Sequence, residues 1–152
     1  MSESSAQLEN FSSLFDLDLV RTCYRFLEEN GTFFFSRQDQ SRIFERHVLE
    51  SLEFIQALWT RGVVGKTVLD AGSGPGLPGM FFATLRRPPH TILLDSSQRK
   101  LGHLARALES GSIALPNVQI RFARIDEQKP CADLITARAL LPYPFVLELL
   151  LP

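Results

Sequence analysis

Up to about residue 60, apolar side chains recur at helical spacing; beyond it they gather into short unbroken runs. Leu17, Val20, Tyr24 and Leu27 repeat in steps of three and four and predict a helix over residues 14–29, stopped by Asn30-Gly31. A second helix over residues 40–59 carries Phe44, Val48, Leu52, Ile55 and Trp59 on one face. Between the two lie Phe33-Phe34-Phe35 and residues 36–39. Residues up to about Ser13 are serine-rich and are expected to fray. After a hinge at 62–66, apolar runs at 67–71, 91–95, 118–123 and 132–136 read as strands buried on both faces. Helices are expected from near Pro78 to the Pro88-Pro89 stop, and over residues 97–109 ahead of Gly111. Strands alternating with helices imply an α/β fold, a doubly wound parallel sheet over residues 63–152 behind a helical region of residues 1–62.

The most informative stretch is Val68-Leu69-Asp70-Ala71-Gly72-Ser73-Gly74-Pro75-Gly76-Leu77-Pro78-Gly79. An apolar run ends in an acid and a glycine-rich turn follows at once. Glycines there let the chain turn sharply and bring bare backbone against a ligand. The next run, Thr91-Ile92-Leu93-Leu94-Asp95, ends in a second acid within reach of ribose hydroxyls. A pyrophosphate would be repelled by Asp70 beside the turn, whereas the ammonium and sulfonium of S-adenosylmethionine would be attracted by it. Gly74-x-Gly76-x-x-Gly79 also matches the dinucleotide fingerprint, although it begins late relative to the strand. A nicotinamide dinucleotide and a purely structural turn are therefore the competing readings.

Composition adds bounds. The 152 residues make about one domain. Apolar content of 45% and charged content of 22% are those of a soluble globular protein. A net charge of -1 gives no global basic field, so any RNA surface would be a local patch. Cys23 and Cys131 have neither metal nor redox spacing and are expected to be buried thiols in a reducing compartment; no metal site is expected. Met1-Ser2-Glu3-Ser4-Ser5 shows no export leader, which points to the cytoplasm. The apolar run at 139–152 holds Glu148 and three prolines and is too short to span a membrane.

Four features occur together: Arg46-His47-Val48-Leu49-Glu50-Ser51, the loop from Asp70 to Gly79, Asp95-Ser96, and the pair of stretches Arg124-Ile125-Asp126-Glu127 and Ala137-Arg138-Ala139. Through them the chain resembles the glucose-inhibited division protein B family, bacterial guanine-N7 methyltransferases of 16S ribosomal RNA. Two departures stand out. Phe34-Phe35-Ser36 occupies the place of the family's Asn-Leu-Thr, and the family continues past Leu151-Pro152 with further strands and a Lys-Gly segment. A sheet ending at its fourth strand is expected to leave an apolar edge unpaired, with Phe145, Val146, Leu149 and Leu150 short of packing partners, as in a shortened copy.

The resemblance implies a Rossmann-like class I methyltransferase fold with an N-terminal helical cap. It implies S-adenosyl-L-methionine as cofactor, and 16S rRNA or the small ribosomal subunit as partner. By its motifs, Gly72 and Leu77 approach the methionine and adenosyl parts, Asp95 takes the ribose, Ile125 and Asp126 meet the adenine, and Arg138 sits at the cofactor and the RNA. Beside these stand structural roles: Asp95 as a helix cap, Arg138 paired with an acid such as Glu148, and Ile125 as packing. Guanine N7 has a free lone pair and no proton to lose, so no general base is needed and no catalytic residue is nominated. The enzyme has only to align nucleophile and methyl and exclude water. Arg37, Arg42, Arg46, Arg86-Arg87, Arg99-Lys100 and Arg106 are candidate RNA contacts or a solvated surface. His47 is read as a satisfied half-buried histidine or a substrate contact, His90 and His103 as surface residues, and Phe33 to Phe35 as packing under the cap. The rival functions are an inactive cofactor-binding remnant and a nicotinamide-dependent oxidoreductase.

Overall fold

The computed structural model describes residues 3–127 and 131–138. Its centre is a four-stranded parallel sheet in the order β3-β2-β1-β4, formed by β1 (Thr67–Ala71), β2 (His90–Asp95), β3 (Val118–Phe122) and β4 (Leu134–Ala137). β1 is the second strand from the β4 edge. Leu69 pairs in register with Ile92 on one side and Ile135 on the other, and Ala71 with Leu94 and Ala137. Alternation assigns its two faces. Val68 joins the large core with Leu93, while Leu69 and Ala71 join a smaller cluster with Ile92, Leu94 and Ile125. The parallel Rossmann-like sheet expected from the sequence is thus present.

Seven α-helices are described: α1 (Glu3–Glu9), α2 (Leu17–Glu29), α3 (Gly31–Phe34), α4 (Arg37–Gln40), α5 (Glu50–Thr60), α6 (Gly79–Phe82) and α7 (Gln98–Glu109). α2 starts at Asp16, whose carboxylate accepts the amides of Asp18 and Leu19. Residues 3–13 do not fray as expected. α1 brings Leu8 into the core, and Phe11 follows it there, packed edge-on against fully buried Phe15. These apolar anchors outweigh the serine-rich composition.

The expected second helix, over 40–59, is a π-helical segment at Phe44–Leu49 running into α5, and the short α4 stands ahead of it. Phe44, Val48 and Leu52 are four residues apart, and at 3.6 residues per turn each such step over-rotates by about 40°. A wider turn takes up the excess and keeps all three buried. α6 is also much shorter than expected. After Phe82 the chain turns to meet the N-terminal segment: Leu85 bridges Phe15, and Asp16 and Arg86 donate their amides to Thr84 and Leu14. Tertiary pairing there replaces helix. One buried cluster runs from Leu8 to Leu115 and joins the N-terminal helices to the sheet. Cys23 lies in it, and burial pushes its thiol up to about 12. Cys131 is exposed ahead of β4, contrary to expectation, because that stretch lies at the surface. Phe145, Val146, Glu148, Leu149 and Leu150 lie outside the described residues.

Candidate cofactor cleft

The glycine-rich turn is lashed to the sheet. As β1 ends, the amides of Gly72 and Ser73 both donate to the Leu94 carbonyl, at 2.8 and 3.1 Å. Gly72 has φ of 70°, a conformation that side chains with a Cβ rarely adopt. The loop then curls on the Ser73 carbonyl, which accepts the amides of Gly76 and Leu77. Two carboxylates clamp it. Asp95 Oδ2 accepts the Gly74 amide at 2.7 Å, and its Oδ1 accepts the Ser97 amide at 2.7 Å. Ser97 caps α7 in turn through Lys100 N–H. Asp95 is therefore not the cap of α7, which is Ser97; it braces the loop and the residue that caps the helix, and half of its carboxylate's lone pairs stay free for a ligand.

Asp70 plays a different part from the one its sequence position suggests. Its side chain is fully buried beneath the loop and does not line the cleft. Its Oδ2 accepts the Gly79 amide at 2.9 Å and its Oδ1 accepts the Thr136 hydroxyl at 2.7 Å. Burial raises its carboxyl to about 7, against the lowering effect of those two bonds. Asp70 ties loop, α6 and β4 together from below and, contrary to the expected direct attraction of a ligand, is not among the residues that line the cleft.

Above the loop, at the carboxyl ends of the strands, lies a cleft of about 470 Å³. Gly72, Ser73, Gly74, Leu77 and Asp95 form one side. The cap supplies Phe35 and His47, whose rings stack at 4.2 Å and 15°, and the end of β4 leads into Arg138. Both His47 nitrogens and the Ser73 hydroxyl are buried without a hydrogen-bond partner among the described residues. Burial, and next the Arg138 charge, hold the His47 imidazole below its ordinary range. Buried polar groups normally have a hydrogen-bond partner, and at a cleft an ordered water or a ligand can supply it.

Arg138 follows β4 directly and reaches back to the cap. It donates to the Arg46 carbonyl at 3.1 Å and pairs with Glu50 Oε2 at 3.2 Å. The π-helical segment makes that possible: the Glu50 amide bonds five residues back to Glu45, and the Arg46 carbonyl accepts from Arg138. An acid does pair with Arg138, as weighed, but it is Glu50.

The rRNA small subunit methyltransferase G (GidB) family matches residues 18–152. The chain belongs to this family. It is 43% identical over 141 residues to the ribosomal RNA small subunit methyltransferase G of Leptospira biflexa, covering 88% of this chain and 57% of that protein. The protein of the same name from Leptospira interrogans is 37% identical over 93% of this chain and 57% of its own length. That from Gluconobacter oxydans is 38% identical over 74% and 55%. The chain thus spans little more than half the length of these relatives.

In this GidB-family chain, Gly72, Leu77, Asp95 and Arg138 come together at the cleft, while Ile125 and Asp126 do not line it. Both sit in a 3₁₀ turn after β3. Ile125 is buried in the smaller cluster, as the packing reading has it, and Asp126 is held below the usual carboxylate range by Arg124, which grips it at 2.8 and 2.9 Å. The sequence pattern does not single out Ser73, and it does not pair His47 with Phe35 twelve positions away. Only the Arg46 to Ser51 stretch signals that a cap element belongs to the site. Phe34 and Phe35 pack against the core as expected, whereas Phe33 is half exposed. His90 is exposed, but His103 is half-buried between Phe33 and Phe34 and bonded to Asn30 Oδ1. Among the described residues no metal-holding cluster occurs, and no helix is long and apolar enough to cross a membrane.

Proposed function

We propose that this chain carries the cofactor half of an S-adenosylmethionine-dependent enzyme that methylates N7 of a guanine in 16S rRNA, within the small ribosomal subunit, in the cytoplasm. The observation that carries the reading is the cleft itself: in a chain of the GidB family, a glycine-rich loop held by Asp95 and the cap residue His47 line one cleft, and the loop's Ser73 hydroxyl and the His47 nitrogens are left unpartnered among the described residues. The donor set fits a cationic amino-acid nucleoside. Asp95 retains acceptor sites for ribose hydroxyls, Gly72 and Leu77 offer close backbone and an apolar contact, and the Ser73 hydroxyl and His47 nitrogens offer polar partners. Ile125 and Asp126 are assigned to the adenine end, and Arg138 to the side facing the RNA. Residues 1–62 act as the cap that closes the cleft. When bound, S-adenosylmethionine supplies an electrophilic methyl on a sulfonium.

The protein's own task is placement. Guanine N7 loses no proton on attack, so no residue need act as a base; fixing the loop through Asp95 and Asp70 and shielding the cleft with the Phe35–His47 stack is enough to align reactants and keep water out. Calorimetry with S-adenosylmethionine and with NAD tests the cofactor: binding of the first and not the second is expected. Methyl transfer to small subunits lacking the modification, read by N7-specific chain cleavage, tests the reaction. Binding of NAD alone would reject the proposal.

A further inference from the structure

Beside the cofactor cleft is a second hollow of about 210 Å³ that the fold of the loop does not explain. Pro78, Ala137 and Phe54 give it apolar walls, and Glu50 and Arg138 stand in it as an ion pair. Arg138 lines both hollows, so the two adjoin. The volume is below that of sites for drug-sized ligands and suits one planar ring system. Phe54 is 43% exposed there, a large aromatic face left to solvent. The Glu50 side chain is 55% exposed, with lone pairs beyond the one that Arg138 engages.

We propose that this hollow receives the target guanine, turned out of its stack, and that Glu50 is the residue that selects guanine over adenine. The inference rests on the methyl-transfer reading above and deepens it. A carboxylate accepts from two adjacent N–H donors at once, and the Watson–Crick edge of guanine carries N1–H beside the N2 amine. Adenine presents a lone pair at N1, which the same carboxylate repels. Holding that edge leaves N7, on the opposite side of the ring, free to face the neighbouring cleft. Phe54 supplies the stacking face that an extruded base needs. The π-helical segment places Glu50 where Arg138 can hold its carboxylate at the mouth of the hollow.

The test is an NMR titration of the whole chain with guanosine, inosine and adenosine monophosphates, alongside calorimetry with S-adenosylmethionine on the same samples. Guanosine monophosphate is expected to shift the Phe54 and Glu50 signals, inosine monophosphate to act more weakly because it lacks the N2 amine, and adenosine monophosphate to have little effect. Glu50→Gln should weaken the guanosine response at least tenfold while sparing the cofactor affinity, because its amide nitrogen opposes one base donor. Phe54→Ala, at an exposed site, should weaken all three nucleotides alike. Equal responses to guanosine and adenosine monophosphates, or shifts that leave Phe54 and Glu50 unmoved, overturn the inference even if the cofactor binds. Failure of the cofactor to bind, with guanine discrimination intact, overturns the methyl-donor reading and leaves the base pocket standing.

Discussion

Arg138, the first residue past β4, lies 3.2 Å from Glu50, the first residue of α5 and 88 positions earlier in the chain. This contact fastens the helical cap to the sheet at the point where the two hollows meet. Its side chains are 38% and 55% exposed, and an ion pair so open to water contributes at most about 1 kcal/mol. Arg138→Ala is therefore expected to leave the melting temperature within a few degrees of the parent while reducing methyl transfer at least tenfold. Thermal melts and single-turnover transfer on the same protein check this. A large fall in melting temperature with transfer intact would assign Arg138 to the fold alone.

Asp95 offers a second prediction. Its two oxygens satisfy the amides of Gly74 and Ser97, so Asp95→Ala leaves both without their partner. Loss of hydrogen bonds to a charged acceptor costs on the order of 1–3 kcal/mol, and the loop that should meet the cofactor loses its anchor as well. The variant is expected to remain folded but to bind S-adenosylmethionine at least tenfold more weakly by calorimetry. Asp95→Asn, which keeps one acceptor, should fall between the two. Undiminished affinity in Asp95→Ala would remove this residue from the cofactor site.

Local signals account for what the sequence made legible. The strands, the glycine-rich turn and Asp95 each declare themselves within a dozen residues, because apolar runs, glycines and a strand-terminal acid need no distant partner to be recognised. What was not legible depends on distant contacts. Asp70 sits in the same motif, yet its role is set by Thr136 and Gly79, which bury it. The length of α6 is set by pairing of residues 84–86 with residues 14–16. Leu8 and Phe11 lie in a serine-rich stretch whose order comes from distant contacts, the core they enter and the bonds of Arg21 to Glu9 and of Arg86 to Ser12. The π-helical segment follows from a four-residue apolar spacing that periodicity alone reads as ordinary helix.

Gly79 supplies a packing prediction. A Cβ there would meet the Leu93 side chain and stand 2.7 Å from Asp70 Oδ2, both fully buried. Asp70 is held by the Thr136 hydroxyl and Leu93 is fully buried, so Gly79→Ala is expected to overpack the junction of loop, α6 and sheet. Overpacking of this kind costs ~1–3 kcal/mol. Urea denaturation should show a lower midpoint with an unchanged slope. A midpoint equal to the parent's would show that the junction is looser than these distances imply.

The last prediction concerns pH. Asp70 has an ordinary value of 3.8 and about 7 in the folded protein, because burial disfavours its charge. Between those two values the folded state holds a proton that the unfolded state has released. Stability therefore falls as pH rises from about 4 to about 7, and it levels off above the folded value. Each unit of difference corresponds to about 1.4 kcal/mol, so the decline across the window is on the order of a few kcal/mol. Asp70→Asn removes the titrating group while keeping its bonds: the amide oxygen accepts the Gly79 N–H, and the amide nitrogen donates to the Thr136 hydroxyl, which serves as either donor or acceptor. Urea denaturation at intervals from pH 4 to pH 8 measures the difference between the two proteins, in which other titrating groups cancel. The variant is expected to gain on the parent steadily with rising pH up to about 7 and to hold that gain above it. A difference that does not vary with pH would mean that Asp70 ionises in the folded protein as readily as in water, and that its burial is relieved by something other than a proton.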